Sequence, residues 1–446
     1  MKIDIDAYFK KATHNRGRNE SSVKLERKKL KNGITFVTET ISCFPSVSAG
    51  IWVRGGSRTE TPEINGSTHF VEHLVFKGTK NLSYSDIYKA FDRMGGAIDA
   101  FTSREIMGFH FRVQKRHFEE AFSILSEIIF EPLFPEEEME RERKVILEEI
   151  KMVNDSPSDV VADLFMERAY PNHPLGMPVQ GNEKIISKMK LETIKKRHKN
   201  LISPSHLIVT ATGDIEMEEL LKAFQRTKKN FDDSKPNRFE PPKFSSGIKV
   251  VEKKHLEQAQ IVLGFESEKA SSPDRYALVV LANILGGTMS SRLFTEIREK
   301  LGLVYSISSE FIGQYDGGIF AIQAASSHDA APKTVQETIK VLHDFCQNGP
   351  SKEEIEIAKE NLIGGLILSL ESTSSRMGRI ARNELYFGRQ FDVKEAISGV
   401  EKVSSSKIID LARKTFNPKR MNVVILGRKN ALKGVDFSIL ERKWQK

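Results

Sequence analysis

The chain lays down one series of strand and helix patterns, breaks at a polar, proline-bearing stretch, and then lays the series down again. In the first half, residues 33–37, 47–53 and 108–113 are short apolar runs that read as strands. Helical periodicity covers about 68–77, 84–94, 116–130, 136–153 and 158–169. Ser83, with Asp86 three residues on, starts the second of these with a capping box, and Ile87, Ala90, Phe91 and Met94 form its apolar stripe. Residues 227–246 carry three prolines and no helical period, as an interdomain linker would. Beyond them, 259–265 answers the strand at 47–53, 276–286 answers the helix at 68–77, and Thr288 stands 209 positions after Thr79. Ser351 to Ile355 answers the start of the 136–153 helix, and strands at 207–213 and 422–427 each close a half on glycine. An offset of roughly 209–216 residues implies a duplicated α+β unit of about 200 residues. The expected layout is an N-terminal extension at 1–24, a first domain at 25–226, the linker at 227–246 and a second domain of the same fold at 247–446. Each domain is expected to be a mostly antiparallel sheet packed with helices.

Composition narrows the class. A chain of 446 residues exceeds what one core usually supports, and 39% hydrophobic with 29% charged residues describes an ordinary globular protein. No apolar run approaches the ~20 residues of a bilayer span, so no membrane partner is expected. Residues 1–18 mix Asp4 and Asp6 with basic residues and lack an apolar core, unlike a secretory signal or an acid-poor transit peptide. Only Cys43 and Cys346 are present, which excludes a disulfide framework and points to a reducing, cytoplasmic location. Any bound metal must then be held by histidines and carboxylates. The net charge is +8, with basic clusters at 24–31, at 195–199 and at the C-terminus. Interleaved acids and the absence of interspersed aromatics argue for a solvated mixed surface rather than a nucleic-acid interface. Acidic or amphipathic peptides remain compatible with this charge.

One helix breaks the symmetry of the repeat. His69-Phe70-Val71-Glu72-His73 places two imidazoles four apart with a carboxylate between them, within an arc of roughly 100° on one helix. Phe70, Val71, Leu74 and Val75 give that helix a packing face. The order is the reverse of the H-E-x-x-H zinc-protease helix, two nitrogen ligands with a base beside them. A single helical His is more often an ordinary surface or core residue than a ligand, so the surroundings decide. Around Leu281-Ala282-Asn283-Ile284-Leu285 the second half has small and apolar residues at the answering positions, and Gly365 answers Glu149. Burial alone would not require one copy to keep a polar constellation that its twin lacks.

A catalytic zinc site commonly has three protein ligands and one open position. The 136–153 helix offers Glu142, Glu148 and Glu149. Glu142 and Glu149 share a stripe but lie about 10.5 Å apart along the axis, so one ion can take at most one of them. The other could orient a histidine. Spacing leaves the choice open.

Gly56 to Glu60 (GSRTE), followed by GSTHFVEHLVFKGT at 66–79, closely resembles the pitrilysin-type zinc peptidases with their inverted HxxEH motif. The nearest branch is the one that includes mitochondrial processing peptidase and its bacterial relatives. The likeness continues through Gly95-Gly96 to Glu105, the Glu142–Glu149 helix, residues 170–176 and Ser291 to Phe294, and so covers nearly the whole chain after its start. The resemblance implies one Zn²⁺ per chain, held by His69, His73 and Glu149, with Glu142 in support and Glu72 as general base. It implies that Arg298 and Tyr305 bind substrate backbone and steady the oxyanion. In longer single-chain relatives such a pair comes from the half opposite the zinc. The expectation here is therefore a homodimeric clamshell with Arg298 and Tyr305 acting in trans, or a heterodimer with a paralogue. Peptides or unfolded segments would lie extended in a closed chamber, adding to a sheet edge at Asp99, Ala100, Phe101 and Thr102. Most of the family has Asn-Ala where this chain has Asp99-Ala100, and an ionised Asp cannot donate as an Asn amide does. The alternative reading is a non-catalytic structural or adaptor subunit of the same fold.

Overall fold

The computed structural model describes residues 23–227, 239–253 and 255–441. The first 22 positions of the expected extension, most of the expected linker and the C-terminal basic cluster lie outside the described residues. In the first half, strands β1 (Lys24–Lys29), β2 (Thr35–Thr40), β3 (Ser46–Arg54), β4 (Ala97–Thr102), β5 (Ile106–Gln114) and β6 (Leu207–Gly213) form a sheet in the order β1-β2-β6-β3-β5-β4. In the second, β7 (Gly247–Glu252), β8 (Ala259–Glu266), β9 (Val304–Gly313), β10 (Gly318–Ser326) and β11 (Met421–Gly427) run β7-β11-β8-β10-β9. Without β1 the two orders superimpose term by term. Each sheet has one parallel pair, β2 with β6 and β7 with β11, and is otherwise antiparallel. The two domains are α+β copies of one another.

The first half carries helices α1 (Ser67–Val75), α2 (Tyr84–Met94), α3 (Phe118–Phe130), α4 (Glu136–Asp155), α5 (Pro157–Ala169), α6 (Leu191–Leu201) and α7 (Met217–Gln225). Ser83 makes the expected capping box with Asp86, and Gly95 ends α2 in the left-handed conformation. In the second half α8 (Arg275–Gly286) answers α1, α9 (Ala331–Asn348) answers α3, α10 (Lys352–Ser369) answers α4 and α11 (Thr373–Phe387) answers α5.

Strands β2, β3 and β6 are buried along almost their whole length. One face of the first sheet packs on its own helices: Val47, Ala49, Ile51, Phe109 and Phe111 join Phe70, Leu74 and Phe122. The other face is covered by α11 from the second half, where Met377, Ala381 and Leu385 meet Trp52, Ile106 and Ile208. The exchange is reciprocal, for α5 of the first half lays Val161, Phe165, Met166 and Ala169 on Val262, Ile319, Val424 and Leu426 of the second sheet. The ring of Phe165 occupies the space where a side chain at Gly264 would project. The equivalent helix of each copy thus closes the other copy's sheet. Polar contacts mark the same joint: Ser48 Oγ lies 2.8 Å from Thr373 Oγ1, and the buried Arg58 pairs with Glu105 and with Asp316 at 2.7 Å.

One departure from the sequence reading concerns 24–31, read there as a solvated basic cluster. Its first six residues are β1, paired antiparallel with β2. An edge strand tolerates charge on a half-exposed face, so the lysines that hide the strand pattern also protect its edge. Arg27 in β1 makes a two-bonded pair (2.7 and 2.8 Å) with Glu384 of α11. Likewise Arg197 of the 195–199 cluster is buried and turned inward onto Thr59 and Thr68. No helix among the described residues is long and apolar enough to cross a membrane. Cys43 is exposed and Cys346 buried, and both are free thiols.

Candidate metal centre and active site

Helix α1 begins at Gly66, whose φ of 89° suits glycine, and its first turn is held by the buried carboxylate of Glu60. Glu60 accepts from the Gly66 N–H at 2.8 Å and the Thr68 N–H at 2.6 Å, as well as from the Asn65 amide. An anion at a helix N-terminus meets free N–H groups and the positive end of the dipole. Arg197 adds a second clamp, donating to Thr68 Oγ1 at 3.0 Å and to the carbonyls of Thr59 and Gly56. The helix carrying the histidines is therefore fixed at its start by residues up to 129 positions away.

From this anchored helix His69 and His73 turn their Nε2 atoms toward each other, 3.3 Å apart. Glu149 of α4 brings Oε2 to 3.7 Å from His69 Nε2 and 3.5 Å from His73 Nε2. One donor atom from each lies within 4.8 Å of the others. Three donors held about 2.0–2.2 Å from one tetrahedral zinc would stand roughly 3.3–3.6 Å apart, so these residues fit such an ion. Glu142, two turns earlier on the same stripe, stands elsewhere. Its Oε2 lies 3.0 Å from His73 Nδ1, and its Oε1 is 2.7 Å from Lys77 Nζ. Glu142 thereby fixes which nitrogen of His73 faces Glu149.

Glu72 points from the same helix toward β4, where its Oε2 accepts from the Thr102 hydroxyl. A cavity of about 450 Å³ opens here, lined by His69, Glu72 and Glu149 together with Ala100, Phe101 and Thr102. A larger cavity of about 680 Å³ continues it past Val153 and Gln180, which border both. Strand β4 is the last in its sheet, so one backbone edge of 97–102 is free beside the cavity.

The model of the insulinase family, peptidase family M16, matches residues 35–183, and that of the peptidase M16 inactive domain matches 188–362. A Bacillus subtilis protein named uncharacterized zinc protease YmxG is 36% identical over 88% of this chain and 96% of its own length. An uncharacterized zinc protease of Rickettsia bellii is 31% identical over 89% of this chain and 96% of its own. The chain belongs to peptidase family M16. Solved structures agree on the M16 fold. A protease from Helicobacter pylori superimposes with a TM-score of 0.85 at 24% identity, covering 91% of this chain and 99% of that one. A peptidase M16 inactive domain from Pseudomonas fluorescens gives 0.85 at 19% identity with the same coverage.

The M16 site divides its protons unevenly. Burial and the neighbouring His73 charge hold His69 down to about 4, against the pull of Glu149. Partial burial lowers His73 too, but hydrogen bonds to Glu142 and Glu149 outweigh that and raise it to about 9. Glu149 is lowered, chiefly by its bond to His73. Burial raises Glu142, yet His73 and Lys77 together bring it below the usual carboxylate range. Glu72 moves the other way, pushed up by burial against the opposing Thr102 bond.

Arg298 sits on a π-helical turn (Phe294–Lys300) and Tyr305 on β9, 74% exposed, with the guanidinium 5.7 Å from the Tyr305 ring centroid. Neither lines the cavity at His69 within this chain. Asp99 is exposed, and its carboxylate accepts from the N–H of Ala100 at 2.8 Å. Sequence reading missed Lys77 and the role of Glu60. Lys77 follows His73 by four residues, the spacing of neighbours on one helix face, which is the signal that could have found it. Glu60 gives no such signal, since only the fold brings it under α1.

Proposed function

We propose that this chain is a zinc-dependent endopeptidase that hydrolyses peptides or unfolded segments held in extended form. The observation that carries the reading is the convergence of His69, His73 and Glu149, with Glu72 beside them at the mouth of a cavity bordered by a free strand edge. The zinc-protease names of the relatives support the choice of metal. A zinc ion held by those three side chains would polarise the scissile carbonyl and acidify a water for attack. Glu72, a raised carboxylate in reach of that space, takes the water's proton and delivers it to the leaving amine. Thr102 holds the Glu72 carboxylate through one oxygen and leaves the other for proton transfer. Glu142 and Lys77 hold His73 in the ligating orientation.

Arg298 and Tyr305 complete the site from a second copy of the chain, closing a chamber around the peptide and steadying the oxyanion. The exposure of Tyr305, and the position of both residues away from the cavity of their own chain, support an action in trans. A purely structural subunit of this fold has no need of three converging donors and a base. Zinc content and cleavage of a mixed peptide library, compared for wild type and Glu72→Gln, test the reading. The variant should keep one zinc and lose turnover by about 10²-fold or more. Equal cleavage by both proteins rejects the mechanism, and loss of zinc in the variant makes Glu72 a ligand instead.

A further inference from the structure

Asp99 occupies a backbone donor that lies where a peptide would dock. In the β4–β5 pairing, Asp99 stands opposite His110 and Ala100 opposite Phe109. The Arg112 carbonyl lies against Gly96 on the β4 side, whereas the Phe109 carbonyl lies against Gly50 on the β3 side. Backbone groups alternate in direction along an antiparallel pair. The N–H and C=O of Ala100 therefore face the free edge of β4. The outward N–H of Ala100 is not vacant, since Asp99 Oδ1 accepts from it at 2.8 Å.

The side chains alternate as well. Ala100 and Thr102 point to the helix face, toward Glu72, while Asp99 and Phe101 point to the opposite face beside His110 and Trp52. A strand added at this edge would set one residue directly across from Asp99, on that opposite face. We propose that Asp99 is a specificity-determining residue: its carboxylate plugs the Ala100 N–H until a peptide carbonyl displaces it, and it then selects a cationic side chain in the opposing residue. The proposal rests on the reading that peptides add to β4. Displacement frees a carboxylate beside the part-exposed ring of Phe101, and a lysine or arginine answers both, by charge and by cation–π contact. An acidic residue at that position meets repulsion, and a neutral one leaves the displaced carboxylate without a partner.

The test uses zinc-loaded, full-length Glu72→Gln, in which peptides bind without being cut. Fluorescent decapeptides of one neutral sequence, scanned with a single Lys, Gln or Glu, are titrated by anisotropy. The same set is titrated against Glu72→Gln/Asp99→Asn and Glu72→Gln/Asp99→Ala. In the parent, Lys at one position should bind about tenfold tighter than Gln there, with Glu weakest. Asp99→Asn, which removes the charge and keeps an acceptor, should erase the ranking. Asp99→Ala removes the plug too and should tighten the all-neutral peptide severalfold. An unchanged Lys–Gln–Glu ranking in both variants overturns the role of Asp99, even while wild type cleaves peptides. Failure of every peptide to bind, with no cleavage by wild type, removes the peptidase reading and this inference together.

Discussion

The imidazole of His73 presents Nε2 to His69 and Glu149, while its Nδ1 is bonded to Glu142, whose second oxygen takes the Lys77 ammonium. Lys77 in turn lies 4.5 Å from the centre of the Tyr84 ring, so the chain of contacts runs from a surface tyrosine to the imidazole of a proposed metal ligand. Removing a partner of this kind typically weakens a metal site by about 10–100-fold. Glu142→Gln should lose zinc affinity within that range in a chelator-competition titration. Lys77→Met should lose less, and Lys77→Arg should restore most of it. The protons make a second prediction. Without metal, His73 is held up to about 9 and so carries a proton at pH 7, whereas His69, held down to about 4, does not. Glu149 is lowered and already ionised. A ligating histidine must be neutral, so zinc must displace the His73 proton. Calorimetry at pH 7 in buffers of different ionisation enthalpy should show roughly one proton released per ion, and affinity should rise roughly tenfold per pH unit toward 9.

Helix α1 is short, nine residues, and would be marginal alone. Its position depends on Glu60 at one end and on a buried apolar face against the sheet. Glu60→Ala would leave the Gly66 and Thr68 N–H groups unpaired and the buried Arg197 without its nearby charge. The expected cost is about 3 kcal/mol or more, read as a lower urea midpoint with an unchanged slope. The capping box at Ser83, the apolar stripe of α2 and the strands 47–53 and 108–113 were legible because each depends on neighbours in sequence. The strand β1 was not, since a run of lysines conceals alternation and its strand character comes from pairing with β2. In the second half Asn283 of α8 bonds Asn361 of α10 at 2.9 Å, so the twin helix pair is joined by a neutral amide contact where the first has its histidines and glutamates.

Taken whole, the molecule is two copies of one unit, each closing the other's sheet with the same helix, α5 or α11. The first sheet therefore owes one of its faces to a domain that carries none of the proposed metal ligands. The proposed action of Arg298 and Tyr305 in trans belongs to this level and is tested by mixing two inactive variants. Glu72→Gln and Arg298→Ala/Tyr305→Phe should each be inactive alone. After co-refolding, a dimer with one of each has one intact zinc site facing one intact pair, so random pairing should restore about a quarter of wild-type activity. Activity in neither the mixture nor any dimeric species would refute action across the interface.

The sequence by itself determined those elements that local periodicity marks, the repeat and the residue types able to bind a metal. These follow from local periodicity and from comparing the halves, and the asymmetry at His69, Glu72, His73 and Glu149 stands in the bare letters. Tertiary structure decided which glutamate lies beside both histidines and which lies behind one of them. It also placed Lys77 and Glu60 in the supporting network, made 24–29 a strand, and crossed α5 and α11 between halves. The physical reason is that periodicity runs along one dimension. Glu142 and Glu149 occupy the same stripe of α4, and only the way α4 packs against α1 gives them different neighbours.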